Sequence, residues 1–209
     1  MPVVASRDRG QVFPFYIAMV TCLLFAALAF VVVGMAGATR SGAQGAADAA
    51  ALAAAREARD NVFVGRDLLT LTPDLWEEIL RGDRFDGRGA CAKARDFAVS
   101  NDATAACDFD IPEFKVTVTT DDTVGESVIP GSETMHGHAT ATALIEPSCS
   151  LKPAPAPTPS PTPSPGGGGT VPDPVGIECR DGGVITVDPS NPGSLSKLAR
   201  KLFSVRLVD

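Results

Sequence analysis

The chain opens on a short polar stretch and then changes character: from Gly10 to Thr39 there is no charged residue, and Val12 to Ala38 is almost wholly apolar. A run of that length exceeds the roughly 20 residues a helix needs to cross the hydrocarbon core of a bilayer, so it predicts a transmembrane helix. Pro14 falls in the first turn, where a missing amide donor costs little, and Phe13, Phe15 and Tyr16 cluster at the same end like an interfacial aromatic belt. No other stretch has this length and apolarity, so the pattern predicts a single-pass protein. From Thr39 to Asp60 alanine and other strong helix formers dominate, with Gly42 and Gly45 the only interruptions. The helix is therefore expected to continue past the membrane as one rod, on the order of 70 Å long from Val12 to Asp60.

Beyond the rod the periodicity shortens. Thr72-Pro73-Asp74 followed by Leu75-Trp76-Glu77-Glu78-Ile79-Leu80 and Gly82 carries an N-cap, a proline at the first helical position and a glycine stop, which predicts a short helix. Ala90 to Ser100 reads as another, with Cys91, Ala94, Phe97 and Ala98 spaced for one buried face. Phe114 to Thr120 alternates as a strand with Phe114, Val116 and Val118 inward, and His138 to Glu146 is a second. Ile177 to Val187, broken by Asp181-Gly182-Gly183, reads as a hairpin, and Ser194 to Lys201 then Leu202 to Val208 as a helix and a final strand. Helices followed by sequential strands predict an α+β fold: short helices on an antiparallel sheet, carried by the long Ala-rich helix. Pro153 to Pro165 alternates proline with Ala, Thr or Ser before the four glycines at 166–169, the composition of an extended polyproline II spacer.

These boundaries divide the chain into a cytoplasmic N-terminus (1–11), the span (12–38), the Ala-rich helical extension (39–60), an exported head (61–151), a Pro/Gly-rich loop or linker (152–175) and C-terminal strands completing the head (176–209). The orientation rests on charge: Arg7 and Arg9 precede the span closely while Arg40 alone follows it closely, which places the N-terminus in the cytoplasm of the cell membrane. The cysteines agree with an exported head, since Cys91, Cys107, Cys149 and Cys179 form an even set beyond the span, as suits an oxidising compartment. Four cysteines allow three connectivities. Cys91 and Cys107 flank a predicted helix end and polar turn, and Cys149 and Cys179 end and begin adjacent predicted strands; pairing sequence neighbours lets the proline tract bulge outward without crossing the core. We therefore expect Cys91–Cys107 and Cys149–Cys179. Ala36-Gly37-Ala38 also has the small residues of a signal-peptidase site, although the apolar run before it is longer than a cleaved signal uses. Cys22 reads as a small apolar side chain within the span.

Net charge is −7, with 18 Lys plus Arg against 25 Asp plus Glu, which argues against nucleic acid as a partner because phosphate neutralisation needs clustered cations. Catalytic groups are scarce. Gly125-Glu-Ser127-Val-Ile129 fails the nucleophile-elbow pattern at its last position, and Gly166 to Thr170 lacks the lysine of a phosphate loop. His136 and His138 fall on one side of a strand, with Glu133 the only nearby addition, so we expect no metal site, no cofactor and no enzyme.

Small residues recur every fourth position along the rod at Gly34, Ala38, Gly42, Ala46 and Ala50, continuing through Ala54 and Ala58, a spacing that admits close approach of another helix. Around that repeat, Arg9-Gly10-Gln11, the uninterrupted apolar span, and then Arg40, Gln44 and the run from Ala46 through Asp48 and Leu52 to Ala55 resemble the N-terminal region of TadE/TadG-like Flp pilus assembly proteins. The resemblance covers about the first 60 residues; Arg40, Gln44, Asp48 and Leu52 stand in its specific part. It implies a pilin-like head and a non-enzymatic, membrane-anchored assembly or minor pilin-like subunit of a Tad (Flp-type) secretion and adherence system at the bacterial cell surface. Its implied partners are the lipid bilayer and other subunits of that machinery, met through the N-terminal helix, with a homo- or hetero-oligomer as the assembly. Prepilins that are processed carry Glu five places after the cleavage-site glycine; here Phe15 stands five places after Gly10, which agrees with the uncleaved, TadG-like type. The alternative is a secreted or cell-surface binding module released from a signal helix.

Overall fold

The computed structural model describes residues 12–123, 125, 131–152 and 174–208. Helix α1 (Val12–Asp60) runs unbroken for 49 residues. Its two halves meet different surroundings. Through Met35 the large side chains are exposed, Phe15 at 79% and Phe30 at 81%, so they touch almost nothing of this chain. The most apolar stretch has a mean hydropathy of 2.7 and is not buried by any described residue. From Ala43 onward the rod sinks into the head: Ala43, Ala46, Ala47, Ala50, Ala51, Ala53, Ala54, Ala55 and Ala58 are all buried. Alanine at so many angular positions has a direct cause, since a helix enclosed on several sides can approach its neighbours only where side chains are short.

Helix α2 (Pro73–Arg81) forms where expected. The Thr72 hydroxyl accepts the Leu75 amide at 3.4 Å, Pro73 occupies the first turn, and Gly82 ends the helix at φ +92°, a left-handed conformation that favours glycine. Trp76, Ile79 and Leu80 face inward, with Trp76 packed on Phe63 at 5.8 Å between ring centroids. Helix α3 (Ala90–Val99) lies along α1, but its buried stripe is Ala90, Ala94 and Ala98. Phe97, expected inside, is exposed and Cys91 only half-buried, because the alanine seam between α1 and α3 is too close to admit a phenyl ring.

The main sheet is antiparallel, in the order β1-β2-β3-β7, built from β1 (Ala103–Asp110), β2 (Glu113–Thr123), β3 (His136–Pro147) and the final strand β7 (Phe203–Val208). The alternation read in β2 is observed: Phe114, Val116 and Val118 are buried against α1 between outward Lys115 and Thr117. Opposite them on β3, Ala141, Ala143 and Ile145 complete the sheet's inner face. Strand β1 lies where the sequence predicts a polar turn. As an edge strand it buries only Ala103 fully, and Ala, Thr and Asp make too weak an alternation to announce a strand. A smaller sheet of β4 (Cys149–Leu151), β5 (Val175–Cys179) and β6 (Val184–Val187) holds the hairpin expected around Asp181-Gly182-Gly183. Helix α4 (Leu195–Leu202), begun by Ser194, packs on the upper end of α1 and leads straight into β7. The fold is thus the long apolar helix with a small antiparallel-sheet domain and short helices predicted from the pattern. Two disulfides fasten it: Cys91–Cys107 joins α3 to β1, and Cys149–Cys179 joins directly opposed residues of β4 and β5. The N-terminal segment 1–11, residues 153–173 of the Pro/Gly-rich stretch, and Ser127 to Ile129 lie outside the described residues.

Candidate functional site

The chain's most unusual surface is α1 itself, and it divides at a neck near Thr39. There β3 comes down on the helix so closely that a Cβ placed on Gly137 would lie 2.9 Å from the Thr39 carbonyl oxygen and 3.1 Å from the Ala43 Cβ. Gly137 is a glycine because the backbone of β3 and the backbone of α1 meet. On the same side Gly125, after β2, approaches the Met35 side chain: a Cβ there would stand 3.6 Å from Met35 Cε. The lower margin of the head therefore reaches the level of the last apolar residues.

Of the five small residues expected to receive a partner helix, the structure separates two from three. Ala46 and Ala50 are buried in the head's own core, whereas Gly34, Ala38 and Gly42 are exposed. A Cβ added at Gly34, Gly37, Gly42 or Gly45 would meet nothing within 4 Å, so this chain's own packing does not account for glycine at those positions. A four-residue repeat advances about 40° per step around a 3.6-residue helix, so a stripe that starts on the free side winds into the head.

The motif residues form a related ladder. Arg40 is exposed and makes no side-chain hydrogen bond or ion pair among the described residues. One turn on, the Gln44 side-chain amide donates to Asp48 at 2.8 Å, and both sit beside Thr140, Ala141, Thr142, Leu207 and Val208, where β3 and β7 pass under the helix. Leu52 is half-buried against the core. The ladder thus descends from solvent at Arg40 to the packed interior at Leu52. His136 and His138 are both spent on β2: His136 Nδ1 lies 2.7 Å from the Thr120 carbonyl oxygen and His138 Nδ1 lies 3.0 Å from the Thr119 hydroxyl.

At the far end of α1, Asp60 ties the rod to α4. Arg200 of α4 holds its carboxylate at 2.7 Å and Arg59 at 2.8 Å. Burial alone pushes the Asp60 carboxyl up, but the hydrogen bonds from Arg200 and Arg59 outweigh it and the group ends below the usual carboxylate range. This pair closes one wall of a cleft of about 470 Å³ lined by Ala53, Arg56, Glu57, Arg59, Asp60, Lys93, Phe97 and Arg200. Sequence reading missed the cleft because its residues are far apart in the chain; the only local signal was the run of basic residues in α4.

Residues 10–57 match the family described as putative Flp pilus-assembly TadE/G-like. The match spans almost the whole of α1, from the residues just before the apolar half to the buried alanines, and stops short of the head's sheet. No curated protein and no solved structure matches the chain.

Proposed function

We propose that this protein is a membrane-anchored, non-enzymatic subunit of a Tad (Flp-type) pilus assembly system, with the minor pilin-like arrangement of one span and an extracytoplasmic head. The observation that carries the reading is the coincidence of two boundaries. The family match at 10–57 covers the one helix whose first half is apolar and exposed, and that half has no partner among the described residues to hide it from water. Burying such a face stabilises by about 25 cal/mol per Å² of apolar surface, which a bilayer or a neighbouring helix supplies.

In this reading residues 1–11 are cytoplasmic, 12–38 span the membrane, 39–60 carry the rod outward, 61–151 and 176–209 make the head, and 152–175 are a Pro/Gly-rich loop or linker. Gly34, Ala38 and Gly42 are the positions at which a partner helix approaches. The test is topological: a reporter active only outside the cytoplasm, fused after Asp209, is expected to be active, and the chain to stay in membranes after alkaline washing. Activity from a cytoplasm-only reporter at that position inverts the model. Recovery of the head in the medium, with an N-terminal residue inside 12–38 or just after it, supports the released binding module instead.

A further inference from the structure

We propose that the head is self-complementary end to end, so that the cation-lined cleft at the far end of α1 in one copy receives the acidic end beside the neck of a second copy. The cleft presents Arg56, Arg59, Lys93 and Arg200 against Glu57 and Asp60, a local excess of positive charge on a chain of net charge −7. Its charges are not all committed. Arg59 and Arg200 are held by Asp60, but Arg56 is exposed and makes no hydrogen bond or ion pair among the described residues, and Lys93 lies over the exposed Phe97 ring at 5.7 Å. Arg56 is therefore free to meet an acidic partner, and Lys93, held only by an exposed ring, can turn to one.

The opposite end has the complementary chemistry. A second depression, of about 500 Å³, has Ala38, Gly42, Asp102 and Asp122 in its lining, and Arg40 is not part of it. The backbone amide of Asp121 donates to the Asp102 carbonyl at 2.8 Å, which sets a third aspartate beside the depression, outside its lining. All three aspartates are exposed, and none has a side-chain partner among the described residues. Ala38 and Gly42 keep this end open, since their side chains are too small to fill it. The basic depression lies on the seam between α1 and α3 near the top of the rod, and the acidic one lies below it, between α1, the residues just past the end of α3 and the end of β2. One surface therefore matches a different surface of the same molecule. Such a contact is heterologous and propagates, where a two-fold contact would stop at a dimer.

The offset has a consequence. The fourteen residues from Gly42 to Arg56 rise about 21 Å along the helix, so stacked copies are displaced by roughly that much. Against a hydrocarbon core of about 30 Å, two apolar halves so displaced do not share one bilayer at the same depth. The contact therefore belongs to a filament-like array. That last step rests on the pilus-assembly reading; the contact itself does not.

Sedimentation velocity of the full-length chain in detergent at low ionic strength tests it. Wild type is expected to show a concentration-dependent series that continues past the dimer and collapses to monomer in about 0.5 M NaCl, where screening is short-ranged. Arg56→Asp and Asp122→Arg, each alone, set like charges face to face and are expected to weaken self-association on the order of tenfold or more. An equimolar mixture of the two variants restores it, because each reversed end finds a partner of opposite sign. Lys93→Asp with Asp121→Arg provides a second such pair should either first variant lose its melting transition. Monomer at low salt, a species that stops at the dimer, or a mixture of folded variants that fails to associate overturns the proposal. No machinery subunit is present in the assay, so its failure leaves the anchoring proposal standing.

Discussion

Replacing Gly137 by alanine adds one methyl group at the tightest point of the molecule. That methyl would lie 2.9 Å from the Thr39 carbonyl oxygen, a backbone atom of α1 that cannot rotate away, and 3.1 Å from the Cβ of Ala43 and the Cγ2 of Thr39. Relief requires β3 to lift from the helix, and overpacking of this kind typically costs about 1–3 kcal/mol. Gly42 is the internal control. It lies on the same helix one turn above Thr39, a Cβ there meets nothing within 4 Å, and Gly→Ala inside a helix gains about 0.8–1.0 kcal/mol. At about 2–4 °C per kcal/mol for a head of this size, Gly137→Ala is expected to lower the melting temperature by roughly 2–12 °C and Gly42→Ala to raise it by roughly 2–4 °C. Thermal unfolding of the detergent-solubilised chain, followed by near-ultraviolet circular dichroism, reads both. Equal melting temperatures for the two variants would show that β3 does not seat on the rod at the neck, and the packing argument would fail.

Replacing Cys149 and Cys179 together by serine opens a 30-residue loop, which in the loop-entropy account costs about 3–4 kcal/mol, and non-reducing proteolysis should then cut between β4 and β5 in the variant well before wild type. Asp60→Asn removes a carboxylate whose folded pKa is depressed. Its stabilisation is therefore present above the unfolded value near 3.8 and lost as pH falls through the folded one, so the variant should melt below wild type at pH 7 and the gap should close at the acid end of a pH series. Gly42→Leu should leave head melting intact, because the site is open, yet weaken crosslinking of α1 to its membrane partners; unchanged crosslinking would return the glycines to a merely alanine-rich helix.

The readable parts of the fold were those with a strong local signal. The charge-free run at 12–38, the Thr72-Pro73 start and Gly82 stop of α2, and the β2 alternation each carry their structure within a few residues. The alanines of the rod show where local reading ends. A four-residue spacing of small side chains permits close approach by any neighbour, and sequence alone does not say whether that neighbour is another subunit or the chain's own head; for Ala46 and Ala50 it is the head. Phe97 misled for a related reason, since spacing placed it near the alanine stripe of α3 while the width of the α1–α3 seam excludes it. The basic cleft was invisible because it is assembled by contacts such as Arg200 to Asp60, 140 residues apart.

What surrounds the exposed, apolar half of α1 in the cell decides whether the chain is a membrane-anchored pilus subunit. A photo-crosslinking amino acid in place of Val33, which is 72% exposed and just below the neck, samples that environment directly. Irradiation of cells that make the pilus machinery, followed by mass spectrometry of washed membranes, is predicted to yield the chain with residues 12–38 intact, joined to membrane subunits of that machinery, and no such adducts when the machinery genes are deleted. Recovery of the chain from the medium without its apolar segment, or an adduct pattern unchanged by that deletion, would contradict it.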